Sequence, residues 1–494
     1  MSATVPGTEG TGGAPDARIR SHLLILTAVF LMTLPFVNPL VHGDGVGYYA
    51  YARAPLIQHN LRFEMDWRNA NLRFSQSRLT PDGNLLPDQY TRVGYVSNLF
   101  SVGPAMLWAP FMLLAHATVL IVDRFGGNIP ADGFSLPYRG TAAVGTAVYG
   151  FCGLLLCYSL ARKYTDAGWA LMATLGVWVA SSLPVYMYFN PFWSHAHSAF
   201  TVALFLWYWD LTRPDRTLGQ WLLLGLISGL MLDVYFVNGV FLLVPLVEAI
   251  QSYIRVLRWK DKAAALRQFS GNVFFLVTLC ITVLPTLITR RIIFGGMFRF
   301  GSYSMLPWDW RAPHRFSVLF SSDHGLLSWT PLLGIALLGL FLPSTRAKTV
   351  KASCALGAVA FYYVISCYPY WDGLSSFGNR FFISVTPIFV LGLALFLERM
   401  SKFFRSLRAA YVTQAALLGL FALWNVGFIL QWGTHMVPAR GEISWREMAH
   451  NQFVAVPLRL THSLETYFLH RKDMMQHIEQ EDIEQQRGLR TGED

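Results

Sequence analysis

Charge is scarce in this chain. Only 14% of its 494 residues are Asp, Glu, Lys or Arg, where a soluble domain carries about 25%. That deficit excludes an ordinary water-facing surface. Cysteine is rare too: Cys152, Cys157, Cys280, Cys354 and Cys367 all fall in or at the ends of apolar segments. None has metal-ligand spacing between loops, which excludes a disulfide framework and a cysteine zinc site. There is no P-loop, no Rossmann fingerprint and no Gly-x-Ser-x-Gly elbow. No internal repeat stands out, and the first apolar stretch lacks a small-residue cleavage site, so it reads as an uncleaved helix.

What is present is apolar length. Hydrophobic residues make up 53% of the chain and mean hydropathy is +0.38. Runs of roughly 17–25 apolar residues recur from Ser21 to Trp432, the length that crosses a hydrocarbon core. They are continuous rather than alternating, so they predict helices and not a barrel. Eleven spans are expected, near 21–41, 140–161, 168–189, 196–212, 219–236, 239–253, 271–290, 325–343, 352–369, 381–398 and 409–432. The fold class is therefore an all-α polytopic membrane protein. It divides into a disordered cytoplasmic N-terminus over 1–20, a membrane domain over 21–432 and an external, polar to amphipathic tail over 433–494. The tail is too short for an independent soluble domain.

The formal charge of +10 lies mostly between spans, so it reads as a topology signal rather than a nucleic-acid surface. Arg162 and Lys163, then Arg213 and Arg216, then Arg255, Arg258, Lys260, Lys262 and Arg267 fill alternate connections. Arg346, Lys348 and Lys351 follow, and last Arg399, Lys402, Arg405 and Arg408. This is the positive-inside bias repeated five times in one phase. The phase survives only if Phe100–Val122 does not cross. That run contains Pro104 and Pro110 and is read as a horizontal interfacial helix within the first outer loop, roughly 41–139.

The polar loops then collect on the outside. In VHGDGVGYYAYAR, Asp44 stands between Gly43 and Gly45 directly behind the first span. Gly-Asp-Gly suits a tight turn, and the glycines equally leave room for a substrate to approach. The following stretch reads as an amphipathic helix roofing a cavity, at whose edge Asp44 can act as a general base. In NPFWSHAH, His195 and His197 point to different sides of a helix; phosphate or sugar binding, or interfacial placement beside Trp193, suits them better than a metal. In YPYWDGLSSFGNR, Trp371 can stack on a sugar, Asp372 and Asn379 can bind hydroxyls, and Arg380 can take a phosphate. An arginine at the outer end of a span asks for an anion. Asp323 reads equally well as a helix cap.

Taken in this order, GDGVGYYAYARAPL, NLFSVGPAMLWAPF, SHAHSAF, SSDHGLLSWTP and YWDGLSSFGNRFFISVTP resemble the GT-C class of polytopic glycosyltransferases. Within it they look like a bacterial branch similar to the protein O-mannosyltransferases and the lipid A aminoarabinose transferase. The resemblance runs from about Ser21 to Trp432. It implies a GT-C-like bundle with horizontal helices in the first outer loop. It implies transfer of a sugar from a polyprenyl-phosphate carrier to a glycan, lipid or protein acceptor on the outer face of the cytoplasmic membrane. The base role carries to Asp44 and the donor-phosphate role to Arg380, with Arg53 and Arg92 as weaker matches. Many members have two acids or Asp-x-Asp in this loop; here Asp44 stands alone, so no metal and no other cofactor is expected. The rival readings are a transporter or flippase of a lipid-linked glycan, which predicts ionisable groups at mid-membrane, or a different membrane transferase.

The charge phase is directly testable. A reporter fused between Arg255 and Arg267 is expected to report the cytoplasm, and external labelling of a cysteine placed there would overturn the topology.

Overall fold

The apolar runs fold as helices because each helix satisfies its backbone internally, and polar side chains cap them where the runs end. Asp166 accepts from the Gly168 N–H, Ser406 from the Ala409 N–H, and Thr217 forms a reciprocal capping box with Gln220. The computed structural model describes residues 13–213, 215–259, 261–299, 308–311, 313–438 and 441–491. Residues 1–12 of the N-terminal segment, Lys260, residues 300–307 and 312 of the Arg291–His324 loop, and tail residues 439–440 and 492–494 lie outside these.

Among the described residues there are fifteen helices of ten residues or more and no strand. They are α1 (Gly13–Thr33), α2 (Asp44–Arg53), α3 (Gly103–Arg124), α4 (Leu136–Ala161) and α5 (Ala167–Val179). Next come α6 (His195–Leu211), α7 (Leu218–Val234), α8 (Leu243–Trp259), α9 (Lys262–Phe294) and α10 (Leu332–Phe341). The last are α11 (Lys348–Ser366), α12 (Thr386–Ser401), α13 (Leu407–Gly433), α14 (Val456–Leu469) and α15 (Arg471–Thr491).

Eight helices are long and apolar enough to cross a membrane. Seven coincide with expected spans and the eighth is α3, while the other four expected spans correspond to the shorter helices α5, α6, α7 and α10. The core centres on α12, whose apolar window is 89% buried. It meets α10 backbone to backbone: a Cβ on Gly339 would lie 1.8 Å from the Gly392 carbonyl oxygen, the close approach that small residues permit between membrane helices.

Ion pairs gather Arg18 and the first two basic connections, 162–163 and 213–216, at one end of the bundle. Arg18 pairs with Asp166 at 2.9 Å, Lys163 and Arg213 converge on Asp210 at 2.7 and 2.5 Å, and Arg216 reaches Glu248 at 3.0 Å. Asp44 lies at the opposite end. There α3 begins, with Gly103 against the Asp233–Val234 backbone at the end of α7. It then runs antiparallel to α4, Trp108 donating to Thr146 at 2.8 Å and His116 meeting Tyr138 at 2.7 Å. These partners all sit in the first half of α4.

Three expectations need correction. Helix α1 starts at Gly13, so the segment expected to be disordered up to residue 20 is helical before it. It also stops at Thr33, because Pro35 interrupts the backbone ladder and turns the chain into a 3₁₀ segment, Leu34–Phe36. Second, α2 is not an amphipathic roof: every residue from Gly45 to Arg53 is buried. Third, the polar to amphipathic tail is not a loose extension. It folds back onto the Asp44 end through α14 and α15, where the Tyr467 hydroxyl donates to the Phe36 carbonyl at 2.7 Å and Arg471 donates to Val37 at 2.7 Å.

The first loop is a folded unit with its own core, and Arg53 is its internal tie. Fully buried, it donates through Nε and Nη2 to both oxygens of Asp66 at 2.6 and 2.5 Å, and stacks over Phe134. Removing one partner of such a pair strands a buried charge, which costs about 3–5 kcal/mol. Arg53→Met is therefore expected to lower the melting temperature of detergent-solubilised protein sharply. Adding Asp66→Leu should recover part of that loss; no recovery would mean that the pair is not what holds the loop.

Candidate functional site

The turn that carries Asp44 is shaped by the segment 190–195. Gly43 has φ +56° and ψ −133°, a conformation that a side chain resists. A Cβ there would also lie 3.2 Å from the Trp193 ring. One on Gly45 would sit 2.6 Å from Phe192 Cβ. The space beside both glycines is thus filled by protein, which corrects the idea that they leave room for substrate. They let α2 dock on Phe192 and Trp193, with Trp193 Nε1 donating to the His42 carbonyl at 3.3 Å. Asp44 becomes the first residue of α2, where the helix dipole favours an anion.

The docking aims Asp44 at Arg380. Arg380 Nη1 lies 3.1 Å from Asp44 Oδ2, and the Asp44 side chain stays 35% exposed. The Arg380 guanidinium stacks on Trp193 at 4.3 Å. Arg380 opens a 3₁₀ turn, Arg380–Val385, that leads into α12, so the arginine stands at the entrance to a deeply packed helix.

Both side chains face a cavity of about 950 Å³. Its polar wall holds Arg73, Arg78, Arg139, Lys472 and His42 besides Asp44 and Arg380. Its apolar wall comes from Phe36, Leu40, Phe189, Ile429, Leu430 and Leu464. Arg78 donates to the Phe74 carbonyl at 2.9 Å and stacks on that ring. Burial lowers its pKa and the Asp44 charge opposes that, which places the two within electrostatic reach. Arg139 Nε is buried and has no hydrogen-bond partner among the described residues.

Several expected site residues lie elsewhere. Arg53 is locked to Asp66, and Arg92 is exposed on a turn outside the cavity wall. His195 is packed among Tyr186, Trp193, Tyr235 and Phe381, whereas His197 faces Trp108 and Tyr149. The two rings do diverge, and both are buried away from the cavity. Trp371 and Asn379 brace their own loop, the Asn379 amide donating to the Trp371 carbonyl at 3.0 Å. Asp372 turns that loop by accepting the Leu374 N–H at 3.1 Å.

Asp372 also meets Asp323 and His324, and ligand atoms of these three lie within 4.8 Å of one another. They form the metal-capable group among the described residues, and Asp44 is not part of it. Burial pushes the Asp323 carboxyl up to about 6, helped by the Asp372 and Glu442 charges. Burial takes the His324 ring down to about 4. Asp323 makes no cap: the helix Leu326–Trp329 begins after Gly325 and has no side-chain capping bond.

Sequence reasoning missed Arg73, Arg78, Arg139 and Lys472 as wall residues. Arg73 and Arg78 lie in a loop with many charges, and Lys472 is some 430 positions from Asp44; no local spacing marks them.

No family model matches the chain, and no curated protein sequence matches it. Solved structures similar to it include ArnT from Cupriavidus metallidurans in the apo state, with 14% identity over 91% of this chain and 76% of that one, TM-score 0.47. Another is the same protein bound to undecaprenyl phosphate, with 14% identity over 90% and 75%, TM-score 0.44. The apo oligosaccharyltransferase of Archaeoglobus fulgidus has 13% identity, TM-score 0.48, and 88% of this chain covers 54% of that one. At this distance the chemistry rests on the chain's own residues.

The geometry makes a sharp claim about Gly45. Overpacking a tight contact costs about 1–3 kcal/mol. Gly45→Ala is expected to lower the melting temperature and displace α2. An unchanged melting temperature would show that the Phe192 contact does not position Asp44.

Proposed function

We propose that the chain is a membrane glycosyltransferase that moves a sugar from a polyprenyl-phosphate donor to a glycan, lipid or protein acceptor. The observation that carries this reading is the 3.1 Å juxtaposition of Asp44 and Arg380 at a cavity with one basic and one apolar wall. Asp44 takes the proton of the acceptor hydroxyl as its oxygen attacks the anomeric carbon. The bond from that carbon to the phosphate oxygen breaks, and Arg380 stabilises the leaving phosphate. Displacement in one step inverts the anomeric centre. An arginine supplies the positive charge that the leaving group requires, so the scheme needs no metal. The apolar wall suits the first units of a prenyl chain.

Membrane placement follows from the charges. The ion-paired basic connections lie at the end opposite Asp44, and the positive-inside bias then supports a cavity on the outer face of the cytoplasmic membrane. In this arrangement α3 stands antiparallel to α4, with Trp108 beside Thr146 and His116 beside Tyr138, and does not lie across it as a horizontal helix would. A transporter or flippase would place ionisable groups midway along its spans. Here the buried charged residues Asp210, Arg216, Asp233, Arg290 and Lys351 all sit at helix ends or just beyond them, which favours the transferase.

The test is turnover with a panel of polyprenyl-phosphate sugars in nanodiscs. Asp44→Asn should reduce turnover by about 10²–10⁴-fold, the usual range for losing a general base, while the donor still binds. Arg380→Ala should weaken donor binding more than acceptor binding. Full turnover in Asp44→Asn would remove the base assignment, and unchanged donor affinity in Arg380→Ala would remove Arg380 from the phosphate site.

A further inference from the structure

The cavity already contains one bound anion, and the chain supplies it. Glu479, from α15, extends into the cavity wall, and its Oε1 accepts from the Asn71 side-chain amide at 2.7 Å and from the Arg73 N–H at 2.6 Å. The donors belong to the first loop, some 400 positions away in sequence. Two donors converging on one oxygen is how a protein holds a phosphate or carboxylate oxygen.

Basic side chains outnumber carboxylates in the cavity wall. Arg73, Arg78, Arg139, Arg380 and Lys472 line the cavity, against two carboxylates, Asp44 and Glu479. Asp44 is held by Arg380 and Glu479 by Asn71 and Arg73. The buried Arg139 Nε still has no partner among the described residues.

The way α15 is attached fits a replaceable occupant. Its start is tied down by Arg471, which donates to the Val37 and Pro35 carbonyls at 2.7 and 3.0 Å. Farther along, Glu481 meets His435 at 2.7 Å. Between these ties only Glu479 brings a carboxylate to the first loop, and its side chain can leave without unfastening the helix.

We infer that Asn71, the Arg73 N–H and the neighbouring arginines form a second anion subsite, which Glu479 fills until a phosphate group of the substrate displaces it. This rests on the transferase reading: Arg380 takes the phosphate next to the sugar, and the second subsite takes another one. That other phosphate belongs either to a diphosphate-linked carrier or to the acceptor. Filling the subsite internally screens the arginines while the site is empty and makes occupancy depend on an anion that outcompetes a carboxylate.

The test is equilibrium binding in nanodiscs to the full chain, with Glu479→Gln, Glu481→Gln and the wild type compared. The probes are polyprenyl monophosphate, polyprenyl diphosphate, and inorganic phosphate added over saturating monophosphate. Glu479→Gln is expected to bind diphosphate or inorganic phosphate about tenfold more tightly, with monophosphate unchanged. A gain for diphosphate assigns the subsite to the carrier; a gain for inorganic phosphate without one for diphosphate assigns it to an acceptor phosphate. Adding Asn71→Ala to Glu479→Gln should cancel the gain, which guards against a merely loosened helix. No gain for either probe, or an equal gain in Glu481→Gln, overturns the subsite. Failed sugar transfer by the wild type would sink the transferase reading while leaving the inorganic phosphate result to stand alone.

Discussion

The Trp193 indole is where the site is assembled. It lies under Gly43, donates to the His42 carbonyl and stacks on the Arg380 guanidinium. One rigid ring therefore fixes the start of α2 and the start of the turn leading into α12, which are more than 300 positions apart. Asp44 and Arg380 meet because both are referred to that ring. An arginine stacked on an indole gains about 0.5–2 kcal/mol, so the ring holds the guanidinium where it meets Asp44.

The architecture was legible where a rule applies to every residue of a run. A helix buried in lipid needs a long apolar stretch, so all eleven expected spans correspond to helices, four of them shorter than a full crossing. Boundaries were less legible. Composition does not say where Pro35 ends α1, nor that α2 is wholly buried, because burial of α2 is decided by a loop far along the chain. The stretch holding Tyr48, Tyr49 and Tyr51 reads as an amphipathic helix, yet these tyrosines fill the interior of the first loop.

Within the site, the two expected residues that the fold brings together at the cavity are those with a local oddity. Asp44 is an acid between two glycines at a span end, and Arg380 is an arginine against the charge bias. Arg53 shares the second oddity, but burial beside Asp66 gives it a structural use. The histidines of the 190–197 segment are packing groups, and Trp193 beside them makes the contact that joins Gly43 to Arg380. Arg73, Arg78, Arg139 and Lys472 had no local mark at all. Each is an ordinary basic residue until the first loop, α4 and α15 bring them to one cavity.

The same geometry explains how a cavity rich in cations can exist at the edge of a membrane bundle. Unpaired arginines at close quarters repel one another, most strongly where burial lowers the local dielectric. The cavity answers that with carboxylates from opposite ends of the chain, Asp44 beside Arg380 and Glu479 beside Arg73. Their positions differ in kind. Asp44 is fixed by a helix start docked on Trp193, whereas Glu479 reaches in from a peripheral helix. A fixed acid and an acid from the far end of the chain thus share the charge balance of one cavity, and neither place can be read from the acid's own neighbours in sequence.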